Sequence, residues 1–142
     1  MEKTLAIIKP DAVARGLIGN VVHRIERRIP SLKIIAMKMV HISEKEAKAF
    51  YSVHEGKPFF ERLTKFMSSG PCVALVLEGD NAVENWRLIM GTTDKEKAFK
   101  GTLRRDLAVP GPMHENLVHG SDSIVNAQVE IGHFFKGDKL LW

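Results

Sequence analysis

The chain is poor in cysteine: Cys72 is the single one, so no internal disulfide can form. It lies in the apolar run "CVALVL" and reads as a small buried hydrophobe, which suits a reducing compartment and a cytoplasmic location. No apolar run approaches the ~20 residues of a membrane span. The N-terminal "LAII" is too short for a secretory signal core and is followed by "KPD". Internal repeats, low-complexity tracts and linkers are absent, and 142 residues suffice for one domain with its own core. Neither G-x-x-x-x-G-K-[ST] nor G-x-G-x-x-G occurs, which excludes the P-loop and Rossmann phosphate cradles. "HENLVH" sets His114 and His119 five apart, where a zinc helix needs four to place both rings on one face. With scattered histidines and one thiol, a tight transition-metal site is not expected.

Positive charge is what the chain has in excess. The formal net charge of +4 favours anionic partners, either nucleic acid or a phosphorylated small molecule.

The periodicities predict an order of elements. "TLAIIK" reads as a buried strand. "LIGNVVHRIERRI" is a helix with Ile18, Val21, Val22, Ile25 and Ile29 on one side, stopped by Pro30 and Ser31. "LKIIAMKMVHI" is a second strand, and "SEKEAKAFYSVH" opens a helix with Ser43 and Glu46 in capping-box spacing. "FFERLTKFMSS" is a short helix after the Gly56 and Pro58 break, and "PCVALVLEG" a strong buried strand. "DNAVENWRLIMG" is a helix with Asn81 and Glu84 in cap positions and Gly91 as its stop. Residues 92–116 read as a long loop, a length that in a compact domain is functional or disordered. "DSIVNAQVEIGHFF" resumes helical spacing and ends in an apolar stretch suited to a final strand. This order predicts an α/β (α+β) sandwich of the ferredoxin-like, split βαβ kind: a four-stranded antiparallel sheet with helices packed on it.

One histidine stands out. In "ENLVHGSDS", His119 sits where a loop meets a helix, a junction that exposes backbone N–H groups to anions. Glu130 follows eleven residues on, about three turns into the following helix. It could hold one imidazole nitrogen and leave the other as a nucleophile. Adjacent residues do not face one another, so "HGSD" alone builds no Ser-His-Asp triad. A metal ligand, a chemical group and an ordinary structural histidine all stay open on these residues alone.

The motifs resemble the nucleoside diphosphate kinase family. "NLVHGSD" matches the signature N-x-x-H-[GA]-S-D at every fixed position, and "IIKPDAV", "FYSVHEGKPFF", "SGPCVALVLEG", "RLIMGTT" and "GTLRRD" match in the same order. The resemblance spans nearly the whole chain and implies a single domain over residues 1–142. It implies a ping-pong transfer of the γ-phosphate of a nucleoside triphosphate to a nucleoside diphosphate through phosphohistidine at His119. Ser121 and Glu130 then resemble the pair that orients the ring. Lys9 and Asn116 resemble ligands of ribose and phosphates, Phe59 the plate that stacks the base, and Arg87, Thr93 and Arg104 the phosphate clamp. Tyr51 and His54 resemble pocket residues; three apart, they can share one helical face. Asp11 and Asp122 resemble structural supports. Mg2+ is implied as a cofactor bound chiefly through nucleotide phosphates, with no firm protein ligand. A homo-oligomer, tetramer or hexamer, is implied, and Leu140, Leu141 and Trp142 suit burial at or near an interface.

The chain departs from the family pattern in two places. The segment between Arg104 and Asn116 is slightly longer around "PGP", which bears on how those two residues are placed, so no role is carried onto 107–113. Lys95 stands where the family often has proline, leaving the loop after Thr93 looser or differently restrained. Two other readings compete. An RNA-recognition motif shares the topology but needs an aromatic-rich strand, which "LKIIAMKMV" and "CVALVL" lack, so nucleic acid is not expected as the main partner. An oligomer keeping the fold without the chemistry is disfavoured by the intact histidine signature.

Overall fold

A computed structural model describes residues 1–140. Its centre is β1 (Glu2–Ile8) and β3 (Cys72–Gly79), paired antiparallel, with β2 (Lys33–Val40) beside β3 and β4 (Val118–Gly120) beside β1. All three pairings are antiparallel, in the order β2-β3-β1-β4.

Strand alternation divides the apolar residues between two cores. Ala6, Ile8, Val73, Leu75 and Leu77 point to one face, where α1 (Pro10–Ala14), α2 (Ile18–Arg28), α5 (Ala82–Met90) and α6 (Leu103–Leu107) bring Ala12, Val21, Ile25, Trp86 and Leu103. Leu5, Ile7, Cys72, Ala74 and Val76 point to the other, under α3 (Glu44–Phe50), α4 (Phe60–Met67) and α7 (Ile124–Phe135). Both faces are covered, so β3 is buried throughout and reads as an unbroken apolar run. That covering removes the open sheet face on which an RNA-recognition motif stacks bases.

Local chemistry sets several boundaries as expected. Ser43 and Glu46 form a full capping box at α3, and Gly91 ends α5 with φ 88°. Asn81 does hold the N-cap position of α5, but in the left-handed region and with no side-chain capping bond.

Three expectations fail. The end of "DSIVNAQVEIGHFF" is no strand: α7 runs unbroken to Phe135. The fourth strand lies earlier, in the three residues around His119, which close the sheet against β1. The stretch 92–116 is not one loop, because Thr102 caps the short α6 through the Arg105 amide. The C-terminal expectation falls partly on Leu141 and Trp142, outside the described residues; Leu140 is half-buried against the second core.

Candidate active site

His119 belongs to a strand, not to a loop–helix junction: it pairs with Ile7 of β1. Alternation along β4 turns Val118 and Gly120 toward α5 and sends His119 to the opposite face, between α3 and α7. Gly120 is required there for a reason other than a tight turn, and its φ is not positive. A Cβ at position 120 would meet Met90 Cε at 2.5 Å and Trp86 Cδ1 at 2.7 Å. The buried Trp86 indole lies against this backbone and donates from Nε1 to the His119 carbonyl at 3.0 Å. Trp86 is thus a support of the site that the sequence did not signal.

Glu130 lies near the middle of α7, closer to two turns in than three because the helix begins only at Ile124. Its Oε1 is 2.6 Å from His119 Nε2 and accepts from Ser121 Oγ at 3.2 Å. A carboxylate only accepts, so Nε2 carries the proton. The other ring nitrogen, Nδ1, then holds the lone pair and makes no hydrogen bond among the described residues. Ser121, fully buried, also accepts from the Leu5 amide at 3.3 Å, tying this pair to β1.

His119 opens into a pocket of about 770 Å³ that Lys9, Tyr51, His54, Phe59, Arg87, Thr93, Arg104, Asn116 and Glu130 also line. Residues far apart in sequence thus meet in one cavity, with Ser121 behind its wall. At one end, Lys9 Nζ donates to Asn116 Oδ1 at 2.8 Å and to the His114 carbonyl at 2.9 Å, and Asn116 Nδ2 donates to the Thr93 carbonyl at 3.0 Å. Arg104 is buried, and its guanidinium donates to the carbonyls of Gly91 at 2.9 Å, Asn116 at 3.2 Å and Val118 at 2.6 Å. The longer segment therefore leaves Arg104 and Asn116 in direct contact. Arg87 is exposed, and its guanidinium makes no hydrogen bond among the described residues.

Burial, and then the positive charge of Arg104, lower the Lys9 pKa to about 7; Lys95 adds to this and Asp11 opposes it. Burial and then Arg87 bring Arg104 down to about 10. Asp11 accepts from the amide of Leu117 at 3.1 Å, and Leu117 is itself held at φ 77°. That left-handed leucine is strained backbone immediately before the histidine strand.

Toward the rim, α3 ends at Phe50, so Tyr51 is its C-cap and His54 lies in a separate 3₁₀ turn, Ser52–His54. They share no helical face, yet their rings stack 6.3 Å apart at 24°. The Tyr51 hydroxyl is buried without a partner among the described residues, and burial, then Glu130, push its pKa up. Burial, then Lys57, lower His54. Phe59 is 39% exposed and supplies an accessible aromatic face. Asp122 accepts from Asn126 at 2.6 Å, which lowers its pKa.

The arrangement offers a nucleophilic nitrogen at the centre, cations at one end and an aromatic face at the other. It is suited to a ligand with an anionic tail and a planar head.

Comparison with known proteins agrees. The profile of the family described as Nucleoside diphosphate kinase matches residues 2–140. A nucleoside diphosphate kinase of Desulfosudis oleivorans is 52% identical over 141 residues, covering 99% of each chain. One from an Anaeromyxobacter species is 54% identical over 134 residues, covering 94% of this chain and 89% of the other. The solved Aquifex aeolicus enzyme of that name superposes with a TM-score of 0.91 at 39% identity, covering 99% of each chain. That of Encephalitozoon cuniculi gives 0.92 at 35%, covering 100% of this chain and 93% of the other.

Proposed function

The chain belongs to the nucleoside diphosphate kinase family and is a phosphotransferase, and on that premise we propose that His119 is the group carrying the phosphoryl between its two nucleotides. The protein moves the γ-phosphate of a nucleoside triphosphate to a nucleoside diphosphate. The observation that carries the assignment is the pinned ring: Glu130 takes Nε2–H, and Nδ1 keeps its lone pair in a pocket lined by Lys9, Arg87 and Arg104.

In the first half-reaction Nδ1 attacks the γ-phosphorus. A P–N bond forms, the bond from phosphorus to the β–γ bridging oxygen breaks, and the diphosphate leaves with that electron pair. Nε2 keeps its proton, so the phosphorylated ring is cationic and Glu130 stabilises it. The second half runs the same steps in reverse with a different diphosphate. Lys9, Arg87 and Arg104 neutralise charge as it shifts from the transferred group to the leaving oxygen. The unpartnered Tyr51 hydroxyl donates to a phosphoryl oxygen beside the ring. Thr93 and Asn116 hold phosphates and ribose, and Phe59 stacks the base, a contact any base can make.

The family generally uses a divalent metal, and Mg2+ would supply charge neutralisation on the nucleotide. Among the described residues no cluster of three or more His, Cys, Asp or Glu side chains could cage it. As the family resemblance implies, we assign it chiefly to the nucleotide phosphates and name no firm protein ligand. The same reading makes residues 1–142 one functional unit, a tetramer or hexamer, acting in the cytoplasm. No helix among the described residues is long and apolar enough to cross a membrane.

The test is incubation with γ-labelled ATP followed by a different nucleoside diphosphate. Label should pass first to protein, in an acid-labile, base-stable bond, and then to the new triphosphate. A folded His119→Gln protein should bind nucleotide and take no label; turnover at the parent rate would refute the assignment.

A further inference from the structure

The segment "VPGPMHEN" forms part of the pocket wall through Pro112, Met113, His114 and Asn116. It is poorly equipped to hold itself in place. Pro110 and Pro112 have no N–H, so the segment has fewer amides than carbonyls with which to bond itself. Beside the backbone bonds from the Glu115 amide to Pro112 and from the Val118 amide to Asn116, the donors that hold its carbonyls are cationic side chains. Lys9 holds the His114 carbonyl, Arg104 holds that of Asn116, and Lys95 Nζ donates to the carbonyls of Pro112 at 3.3 Å and Glu115 at 3.0 Å.

These cations are not equivalent. Lys9 and Arg104 line the pocket, so an arriving polyphosphate competes with the carbonyls for their N–H groups. Lys95 does not line it. It is buried, 7% exposed, and makes no ion pair with a carboxylate among the described residues. Burying an ammonium is costly unless its donors are satisfied. Its backbone is set by a turn in which Thr92 Oγ1 donates to the Asp94 carbonyl at 2.9 Å and the Glu96 amide to Asp94 Oδ1 at 3.0 Å.

We propose that Lys95 is a positioning residue for nucleotide binding: by gripping the carbonyls of Pro112 and Glu115 it keeps the pocket wall at 112–116 in place when phosphate draws Lys9 and Arg104 away. The proposal rests on reading the pocket as the nucleotide site. It goes further in assigning the wall's stability to a residue that touches no substrate. Lysine takes this place because its compact charge and flexible stem reach two carbonyls on one turn, closed by the Glu115 amide donating to Pro112 at 3.1 Å.

The test compares nucleotide and non-nucleotide phosphoryl donors in Lys95→Met. KM for nucleoside diphosphates should rise about tenfold, the scale of one charge-assisted hydrogen bond. The kcat should stay within about threefold of the parent, since the lost contact acts on binding. Phosphoramidate, a small donor with no nucleoside to meet the wall, should label His119 at the parent rate. Lys95→Arg, which keeps two donors, should recover most of the KM. A parent-like KM, or an equal loss of phosphoramidate labelling, would overturn the proposal. Should phosphoramidate fail to label the parent itself, the fault would lie with the phosphohistidine assignment instead. Hydrogen exchange on the parent provides a reading that needs no variant. Because the wall is held before ligand arrives, ADP should raise protection of amides 113–118 by less than about fivefold, and a larger gain would overturn it.

Discussion

Two arginines that resemble one clamp in sequence differ in what holds them. Arg87 is exposed and its guanidinium is tied to nothing by hydrogen bonds among the described residues, whereas that of Arg104 is buried under three carbonyls. Both replacements by alanine should slow phosphoryl transfer. Arg104→Ala should in addition lower unfolding free energy by about 1–3 kcal/mol, because it orphans buried acceptors. Arg87→Ala should stay within about 0.5 kcal/mol of the parent, as exposed substitutions do. Denaturant titration of the two variants separates these outcomes; equal stabilities would contradict the geometry. Lys9 makes a second residue-scale case. With its pKa lowered to about 7, the ammonium is lost as pH rises through that value, while bound polyphosphate favours the charged form. KM for nucleotide should therefore rise with pH above about 7 and be flat below it, and Lys9→Arg should abolish the inflection. In stability the sign is opposite. Between about 7 and the ordinary lysine value of 10.5 the unfolded chain binds the extra proton, so this group's contribution to stability grows with pH across that window.

At the scale of elements, the site depends on the packing of α5 under β4. Trp86 is fully buried, donates to the His119 carbonyl and fills the space a side chain at 120 would need. Gly120→Ala should destabilise by about 1–3 kcal/mol, since the new methyl meets the rigid Trp86 indole as well as the flexible end of Met90, and the buried indole has no room to swing aside. It should also reduce labelling of His119, because the strand that presents the ring must shift. Trp86→Phe removes the indole N–H and some bulk, so adding it to Gly120→Ala should recover part of the loss. Additive effects in that double-mutant cycle would show that the two residues do not compete for one space. The same elements mark what patterning could show. β1 and β3 were legible because unbroken apolar runs announce strands buried on both faces, and α3 because its capping box is local chemistry. β4 was not legible: three residues are too few to display alternation, and they are a strand only because β1 offers a free edge.

For the whole molecule, the outer edge of the sheet bears on assembly. Among the described residues β2 has a strand partner on one side only, and Met37 and Met39 on it are 55% and 58% exposed. An open strand edge with apolar side chains is a template for association. Light scattering at micromolar concentration should report a tetramer or hexamer. Replacing Met37 and Met39 together by glutamate should shift the distribution toward smaller species while leaving the fold measured by circular dichroism unchanged. A monomeric parent would end the oligomer reading.

Sequence alone determined the family, the fold class and which side chains meet, because the signature around His119 and the apolar periodicities are properties of residue types in order. It also identified the two departures, at Lys95 and at the longer "PGP" segment. What only tertiary structure decided is how those side chains are held. Arg104, Lys9 and Lys95 grip backbone carbonyls, Trp86 grips another, and Asp11 accepts from the amide of the left-handed Leu117. Every residue has a carbonyl, so no residue type advertises the one that will be held. That choice is made by which backbones the packed helices and strands bring within reach.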